Sequence, residues 1–556
     1  MVFEDPGDVE RYFQSGVSPN AAVALFDERG ARYFNMMARS RPEDARRMPA
    51  WTYGSQWAVC VHERCHNDHR EFVCARQLYA DFFRRFEGQL HKGSFPWGSP
   101  RKKEFGPTHV VLPQGIHTII RDLNSGPDLM AALADAEFAA ELPSGSRISW
   151  YRVVPEPVIC DRGELELVTT AMRRFEQVCD KFVRATDTKG ATNVIHPVIL
   201  KGVHIEDEAL KQLYLFPPTD CFSIARPDLH YKGADARQKL FASENDEMPG
   251  GFPEVVHMDA VYGINQAQWQ SCFDWLTSKG LLLFVVSHDW SKCYIPEMRW
   301  LVEHLRSRGY NAQMITTDSL DEVSVTSSGV SFRHESVGTI WRQFPIFETR
   351  GMLAELVKSA ASGAVRMVPE FAHFGNKVWF SIFRSHAGFF RRELSPMDYA
   401  ILDDVLPDSS VIDSSHSFPC TVDGIAFDRL NDLLNAPEKV RDSLVLKICG
   451  ANALSARSYG VLMGHGLDLA DWQEWIRAHL HDKQPIIIQR RLETGVARIP
   501  VQNLNRNAAE LFSCRILFRP WVVNGKVISV SGCAVPSNTL RVHGRVDMAM
   551  LPVQLE

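Results

Sequence analysis

The chain lacks long apolar runs. Stretches such as Leu281 to Val286 fall far short of the roughly 20 residues a membrane-crossing helix needs, so no membrane partner is expected. It lacks a basic start followed by an apolar segment, so no secretory signal is expected. It also lacks strong charge of one sign: 61 Lys and Arg face 67 Asp and Glu, for a net charge of −6. Without a basic excess, a general nucleic-acid binder is not expected. No fixed-period repeat and no low-complexity tract is present. The twelve cysteines are scattered over the whole length rather than packed together. That suits reduced thiols in a cytoplasmic protein better than a disulfide scaffold.

What is there is ordinary globular material, 45% hydrophobic and 23% charged, which excludes a disordered, collagen-like or coiled-coil chain. At 556 residues the chain is too long for one core, and length predicts three or four units of about 150 residues each.

Local patterns predict α/β and α+β units. In the irregular first 150 residues a helix is expected around Glu63 to Phe86. A second is expected at Glu164 to Val183, where Val168, Ala171, Phe175, Val178 and Phe182 recur at helical spacing. Leu281 to Val286, bounded by Gly280 and Ser287-His288-Asp289, predicts a buried strand. A helix from Pro296 to Arg308 follows, ended by Gly309, then strands at Ala312 to Ile315 and Val337 to Trp341. Strand, helix, strand in this order predicts a right-handed crossover and a parallel sheet. Ser395-Pro396 starts a helix running to Leu406. Ser443 to Ile448 and Pro485 to Gln489 predict short strands, with a helix bearing Trp472, Trp475, Ile476 and Leu480 between them. Cys514 to Val530 predicts a hairpin turning at Asn524-Gly525.

Five groups of residues could carry chemistry. Lys447 leaves an apolar strand into a loop of small residues from Gly450 to Gly460, the form of a flap whose N–H groups approach phosphate oxygens. The glycine spacing is not that of a P-loop, and a solvated lysine before a turn is the plainer alternative. The strand ending at Gln489 could offer its last polar groups to a flat heterocycle such as adenine, or could simply emerge into solvent. Arg515 and Arg519 alternate with apolar residues on one strand, and arginine beside a cleft suits phosphate or carboxylate. Arg226-Pro-Asp228 precedes Val255-Val256-His257-Met258-Asp259, where His257 and Asp259 are expected to share one face of a strand. With Asp228 they could hold Mg²⁺, although a hydrogen-bonded core histidine is equally open. Finally Cys60, His62, Cys65, His66, His69 and Cys74 have residue types that suit Zn²⁺, without paired Cys-x-x-Cys knuckles.

The order of these pieces, with Ile340-Trp-Arg342-Gln-Phe, Phe374-Gly-Asn-Lys377, Leu444 to Gly464 and the Asn524-Gly525-Lys526 hairpin, resembles the circularly permuted ATP-grasp ligases, of which glutathionylspermidine synthase is one kind. The resemblance spans about Val154 to Val553. It implies an ATP-grasp fold with a preceding doubly wound unit and an extra N-terminal region. The implied stretches are 1–150, of uncertain fold; 151–275, carrying metal residues; 276–365, a βαβ unit; and 366–556, the nucleotide-binding part.

Carried over by position, the resemblance implies that Lys377 and Lys447 bind ATP, that Gly450, Ser455, Ser458 and Gly460 lie in the phosphate flap, and that Gln489 meets adenine. Asp228, His257 and Asp259 would hold Mg²⁺, and Arg226, Arg342 and Arg519 would serve the transferring phosphate. The implied reaction is ATP-dependent joining of a carboxylate to an amine through an acyl phosphate, with an amino acid or short peptide as substrate. A nucleotide-binding protein without ligase activity and a phosphotransferase remain open, as does the oligomeric state, a homodimer included. The chain departs from the family where a Glu-x-Asn pair is His257-Met-Asp259, where flap glycines are Ala451, Ala453, Ser455 and Ala456, and at Arg490 and Leu517. The stretch from His230 to Pro253 is expected to be an insertion bearing on specificity.

Overall fold

The computed structural model describes residue 154 and residues 156–556, apart from 188–194, 219–223, 234–239, 247, 292–293, 414–417, 456–459, 466, 504–507 and 537–548. Before residue 154 it describes only the backbone of short strands at Ala22–Phe26, Tyr33–Asn35, Ala58–His62, His109–Val111, Ala139–Glu141 and Arg147–Ser149. The helix expected at Glu63 to Phe86 and the side chains of Cys60, His62, Cys65, His66, His69 and Cys74 lie outside the described residues.

Backbone contacts divide the chain into two units, each discontinuous in sequence, where four consecutive stretches were expected. One comprises Met1–Pro157, Val496–Leu517 and Gly532–Leu551, the other Val158–Gly495, Phe518–Ser531 and Pro552–Glu556. The smaller unit contains an antiparallel pairing of Ala497–Asn503 with Ala508–Cys514, and His109–Val111 pairs with residues 508–510. The residues expected to bind ATP, Mg²⁺ and the transferring phosphate lie in the larger unit, whereas Arg515 and the cysteines and histidines of residues 60–74 belong to the smaller one.

The larger unit begins with helix α1 (Arg162–Asp187). Its apolar stripe is buried as the spacing predicts, Phe175 meeting Phe383 edge to face and Phe390 at a tilt, and Phe182 stacking on Phe390. A hairpin follows, strand β1 (Pro227–Tyr231) antiparallel to β2 (Leu240–Asn245). The stretch from His230 to Pro253, expected to be an insertion, supplies the end of β1 and the whole of β2.

Helix α2 (Phe252–Tyr262) corrects another expectation, because it holds His257 and Asp259, which were expected on a strand. Val255 and Val256 favour extended backbone, but the ends of the segment decide otherwise. Gly251 caps the start in a left-handed conformation, proline occupies the first turn, and Gly263, also left-handed, closes the end. Two residues apart on a helix are about 200° apart, so the pair does not share a face.

The doubly wound part has the expected form. Strand β3 (Leu281–Val286) is buried throughout and is parallel to both β4 (Ala312–Thr316) and β5 (Glu335–Gln343), with helix α3 (Ile295–Ser307) in the crossover. Strand β6 (Arg366–Val368) pairs parallel with β5. An antiparallel excursion, Val323–Thr326 with Gly329–Phe332, interrupts the β4-to-β5 connection. One core joins Phe252, Trp269, Leu282, Phe284, Met298, Leu301, Trp341 and Trp521. Each large apolar side chain buried there contributes about 1.5–3 kcal/mol.

A four-stranded sheet supplies the other wall, in the order β7 (Ser409–Ile412), β10 (Ile486–Arg490), β8 (Leu444–Ile448), β9 (Val461–Met463). Helix α4 (Leu469–His481) covers it with Trp472, Ile476 and Leu480. Two long strands, β11 (Ala508–Val523) and β12 (Lys526–Pro536), follow, the first adjoining β1 in the sheet order. Asn524 and Gly525 both have positive φ, +48° and +76°, which is the backbone the expected hairpin turn demands. Among the described residues no helix is long and apolar enough to cross a membrane.

Candidate nucleotide and metal site

The hairpin places charge by register. Asp228 on β1 stands opposite Glu244 on β2, and the turn beyond β2 brings Asp246 back to Arg226. The Asp246 N–H donates to the Arg226 carbonyl at 3.1 Å, and its side chain pairs with the Arg226 guanidinium. Arg226 also donates from Nη1 to the Gly250 carbonyl (2.6 Å), lies 3.7 Å from the Asp228 carboxylate, and sits over the Trp521 ring at 5.5 Å. Both Arg226 and Asp228 are buried. Burial lifts the Asp228 carboxyl to about 7, against the pull of Arg226 and Arg519.

Two lysines reach the same group from different elements. Lys377 immediately precedes the helix Val378–Ser385, and Asn376 fixes its position by accepting from the N–H groups of Val378 and Gly450 and donating to the Ile199 carbonyl. Lys377 Nζ lies 3.2 Å from Glu244 and donates to the Ser455 carbonyl at 2.8 Å. Lys447 projects from the middle of β8 and donates to the Ser243 carbonyl at 2.8 Å. Burial alone would raise the Glu244 carboxyl, but Lys377 and Lys447 hold it down to about 2. Burial opposes the charge on Lys377 too, and Glu244 nevertheless keeps its ammonium above the usual lysine range. Lys447 fares differently: burial, with Lys377 nearby, pulls it down to about 8 despite Glu244.

The loop after β8 is built to lie close. Asn452 donates to the carbonyls of Gly202 and Cys449 and accepts from the N–H groups of Leu454 and Ser455, folding Ala453–Ser455 into a short helical turn. A Cβ at Gly450 would meet the Gly202 carbonyl oxygen at 2.3 Å, and one at Gly460 would meet the Leu454 oxygen at 2.5 Å. The two glycines therefore permit close backbone approach at either end of the loop. Ser455 is brought to Lys377 through its carbonyl; Ser458 lies outside the described residues.

Gln489 is buried on β10 between Ser409 and Val445, and its Nε2 has no hydrogen-bond partner among the described residues. A buried amide with an idle donor is an exception that a ligand acceptor would remove.

Three expected site residues stand elsewhere. His257 packs edge to face on Trp300, with ring centroids 4.7 Å apart. Asp259 is taken up by Ser529 Oγ, Trp269 Nε1 and Asn265 Nδ2, all donating to its Oδ2. Helical geometry separates these two from each other, and among the described residues no group of three or more His, Cys, Asp or Glu is arranged to hold a metal ion. Arg342 is wholly buried and donates to the carbonyls of Phe344, Pro369 and Glu370. It fastens the β5 and β6 ends instead of lining a cleft. Arg519, by contrast, is near enough to lower Asp228.

Glu244 and Asp246 are the functional candidates that the sequence pattern does not single out. The available signal was the short apolar segment Leu240 to Ala242 ending in Ser-Glu-Asn-Asp, close after Arg-x-Asp. The chemical capacity of the group follows from its parts. Two lysines and two arginines can neutralise phosphate oxygens, and Asp228, Glu244 and Asp246 are oxygen donors of the kind Mg²⁺ prefers.

No protein-family model matches the chain, and no curated protein matches it. Among solved structures, a glutathione synthetase-like effector of Globodera pallida, in its apo form, aligns at 11% identity and a TM-score of 0.42, covering 80% of this chain and 98% of its own. A protein of Methylobacillus flagellatus, provisionally described as a gamma-glutamylcysteine synthetase, aligns at 11% identity and a TM-score of 0.34, covering 72% of this chain and 89% of its own. Likeness at this level leaves the functional reading to the residues themselves.

Proposed function

We propose that the protein is an ATP-dependent ligase of the ATP-grasp kind, joining a small carboxylic acid to an amine through an acyl phosphate. The observation that carries this reading is the single cluster formed by Arg226, Asp228, Glu244, Asp246, Lys377, Lys447 and Arg519. These residues come from separated stretches of sequence, and the cluster stands beside a loop of small residues. Phosphoryl transfer asks for positioning and charge neutralisation more than covalent help, which is what such a cluster supplies.

In this reading Lys377 and Lys447 hold the phosphates and Gln489 Nε2 donates to adenine. Arg226 and Arg519 steady the phosphoryl group as charge moves onto the acceptor carboxylate. One or two of the carboxylates Asp228, Glu244 and Asp246, together with the phosphates themselves, would hold Mg²⁺, whose chemistry is to neutralise phosphate charge. Glu244 keeps 32% of its side chain exposed, which leaves room for a ligand to replace Lys377 at its second oxygen. The segment 450–455, whose last carbonyl meets Lys377, would help exclude water from an intermediate that would otherwise hydrolyse. An amino acid or short peptide is the substrate class that the arginines favour.

The test mixes the protein with ATP, Mg²⁺, each proteinogenic amino acid in turn and hydroxylamine, which traps an acyl phosphate as a hydroxamate. ADP release together with hydroxamate is the expected result. Nucleotide binding without either product would overturn the ligase reading in favour of a nucleotide-binding protein.

A further inference from the structure

Two acidic side chains of the larger unit have no role in the cluster just described. Glu254 lies in the first turn of α2 and Glu297 in the first turn of α3. The fold draws these helix starts together. Arg226 grips the Gly250 carbonyl, and the Tyr294 ring approaches Gly250 so closely that a Cβ there would stand 2.4 Å from it. Further along, His257 of α2 rests on Trp300 of α3.

The two carboxylates lie within electrostatic reach of each other and of Arg519. Glu254 is 8% exposed, and no hydrogen bond among the described residues reaches its carboxylate. The charges that face it are Arg519 and Arg226, with Glu297 across from it. Glu297 is half-buried, yet its Oε2 is buried and has no hydrogen-bond partner. Burial raises Glu254 to about 7, and burial with Glu254 alongside raises Glu297 well above the carboxylate range. An acid pair with an idle buried oxygen, next to arginines that already have partners, invites a small cation with protons to give.

We propose that Glu254 and Glu297 form the amine subsite, Glu297 holding the substrate's ammonium group and Glu254 accepting a proton from it before the nitrogen attacks. This rests on the ligase reading above and adds to it the class of the second substrate, a small primary amine. The balance is complete within the site. The ammonium gives one proton to the Glu254 carboxylate, and the freed nitrogen pair forms the C–N bond to the acyl phosphate. The C–O bond to phosphate breaks with its electrons going to the phosphate oxygen, and the second nitrogen proton leaves with that phosphate. Because Glu254 must be ionised to accept, amide formation rises as pH rises through about 7.

Calorimetry tests this with Mg²⁺, a non-hydrolysable ATP analogue and a defined panel: glycine, alanine, cysteine, ethanolamine, putrescine and spermidine. Wild-type protein is expected to bind at least one of them. Glu254→Gln and Glu297→Gln, which keep the side-chain volume, are expected to weaken that binding at least tenfold while analogue affinity is unchanged. No binding by any amine, or unchanged binding in both variants, overturns the subsite. A second arm separates the base from a merely structural carboxylate. Hydroxylamine is neutral at pH 7, so Glu254→Gln keeps hydroxamate formation while amide formation from the ammonium substrate falls about 100-fold; equal loss of both products would overturn the proton-accepting role. Failure of the ligase reading looks different: amine binding persists, lost in the variants, with no ADP released from any acid.

Discussion

Arg226 and Arg342 are both almost completely buried, 3% and 0% exposed, yet their partners are of opposite kinds. Arg342 gives its protons to three main-chain carbonyls that no ligand could replace. Arg226 shares its protons between one carbonyl and carboxylates, and Asp246 on that side keeps 29% of its side chain exposed. A buried charge satisfied by backbone is part of the scaffold. A buried charge satisfied by other side chains, some still open to solvent, can change partners when a ligand arrives. That contrast separates the doubly wound part, where burial is nearly all apolar, from the hairpin and lysine group, where charge is buried against charge.

The sharpest test of the contrast is Arg342→Ala. Three buried carbonyls would lose their donors at about 1–3 kcal/mol each, so the loss should exceed ~3 kcal/mol in urea denaturation. A variant as stable as wild type would remove the distinction. Next in size is Lys447→Met, expected to cut ADP release about 100- to 1,000-fold, the usual effect of deleting one charge stabiliser. Its melting temperature should stay level or rise, because burial already disfavours the Lys447 ammonium.

A smaller effect separates the same two regions by pH. Asp228 has a folded value raised to about 7 from 3.8, so the stability it contributes is full below its unfolded value and is lost as pH rises through about 7. Asp228→Asn should therefore melt higher than wild type at pH 8 and match it near pH 4; a difference independent of pH would refute the assignment. The smallest expected effect is at Gln489. Gln489→Leu removes an idle buried donor, so stability should change by no more than about 1 kcal/mol, while ATP affinity measured by calorimetry falls.

The two regions also differ in how far the sequence alone reveals them. Leu281 to Val286 is a continuous apolar run between polar ends, Ser395-Pro396 is a helix start, and Asn524-Gly525 is a turn. Each signal is complete within a few residues, and each element forms as expected. Lys447 could be named because it leaves an apolar strand before a loop of small residues, and Lys377 through the family resemblance alone. Their meeting at Glu244 could not, since it depends on the register of β1 against β2 and on a sheet contributed from residues 409–490. The error at His257 and Asp259 has the same origin in reverse: two valines argued for a strand while glycine and proline at the segment's ends governed. Arg342 looks like a cleft arginine until the carbonyls of residues 369 and 370, supplied by the next strand's end, come into place.

The Asp259 knot has a consequence for synthesis. Its Ser529 donor is made 270 residues later, and at about 5–20 residues per second a nascent chain would wait roughly 14–54 s with that carboxylate incompletely tied. Arg519 arrives in the same late stretch. A polypeptide emerging from the ribosome would thus have its parallel sheet long before the charge cluster could be complete.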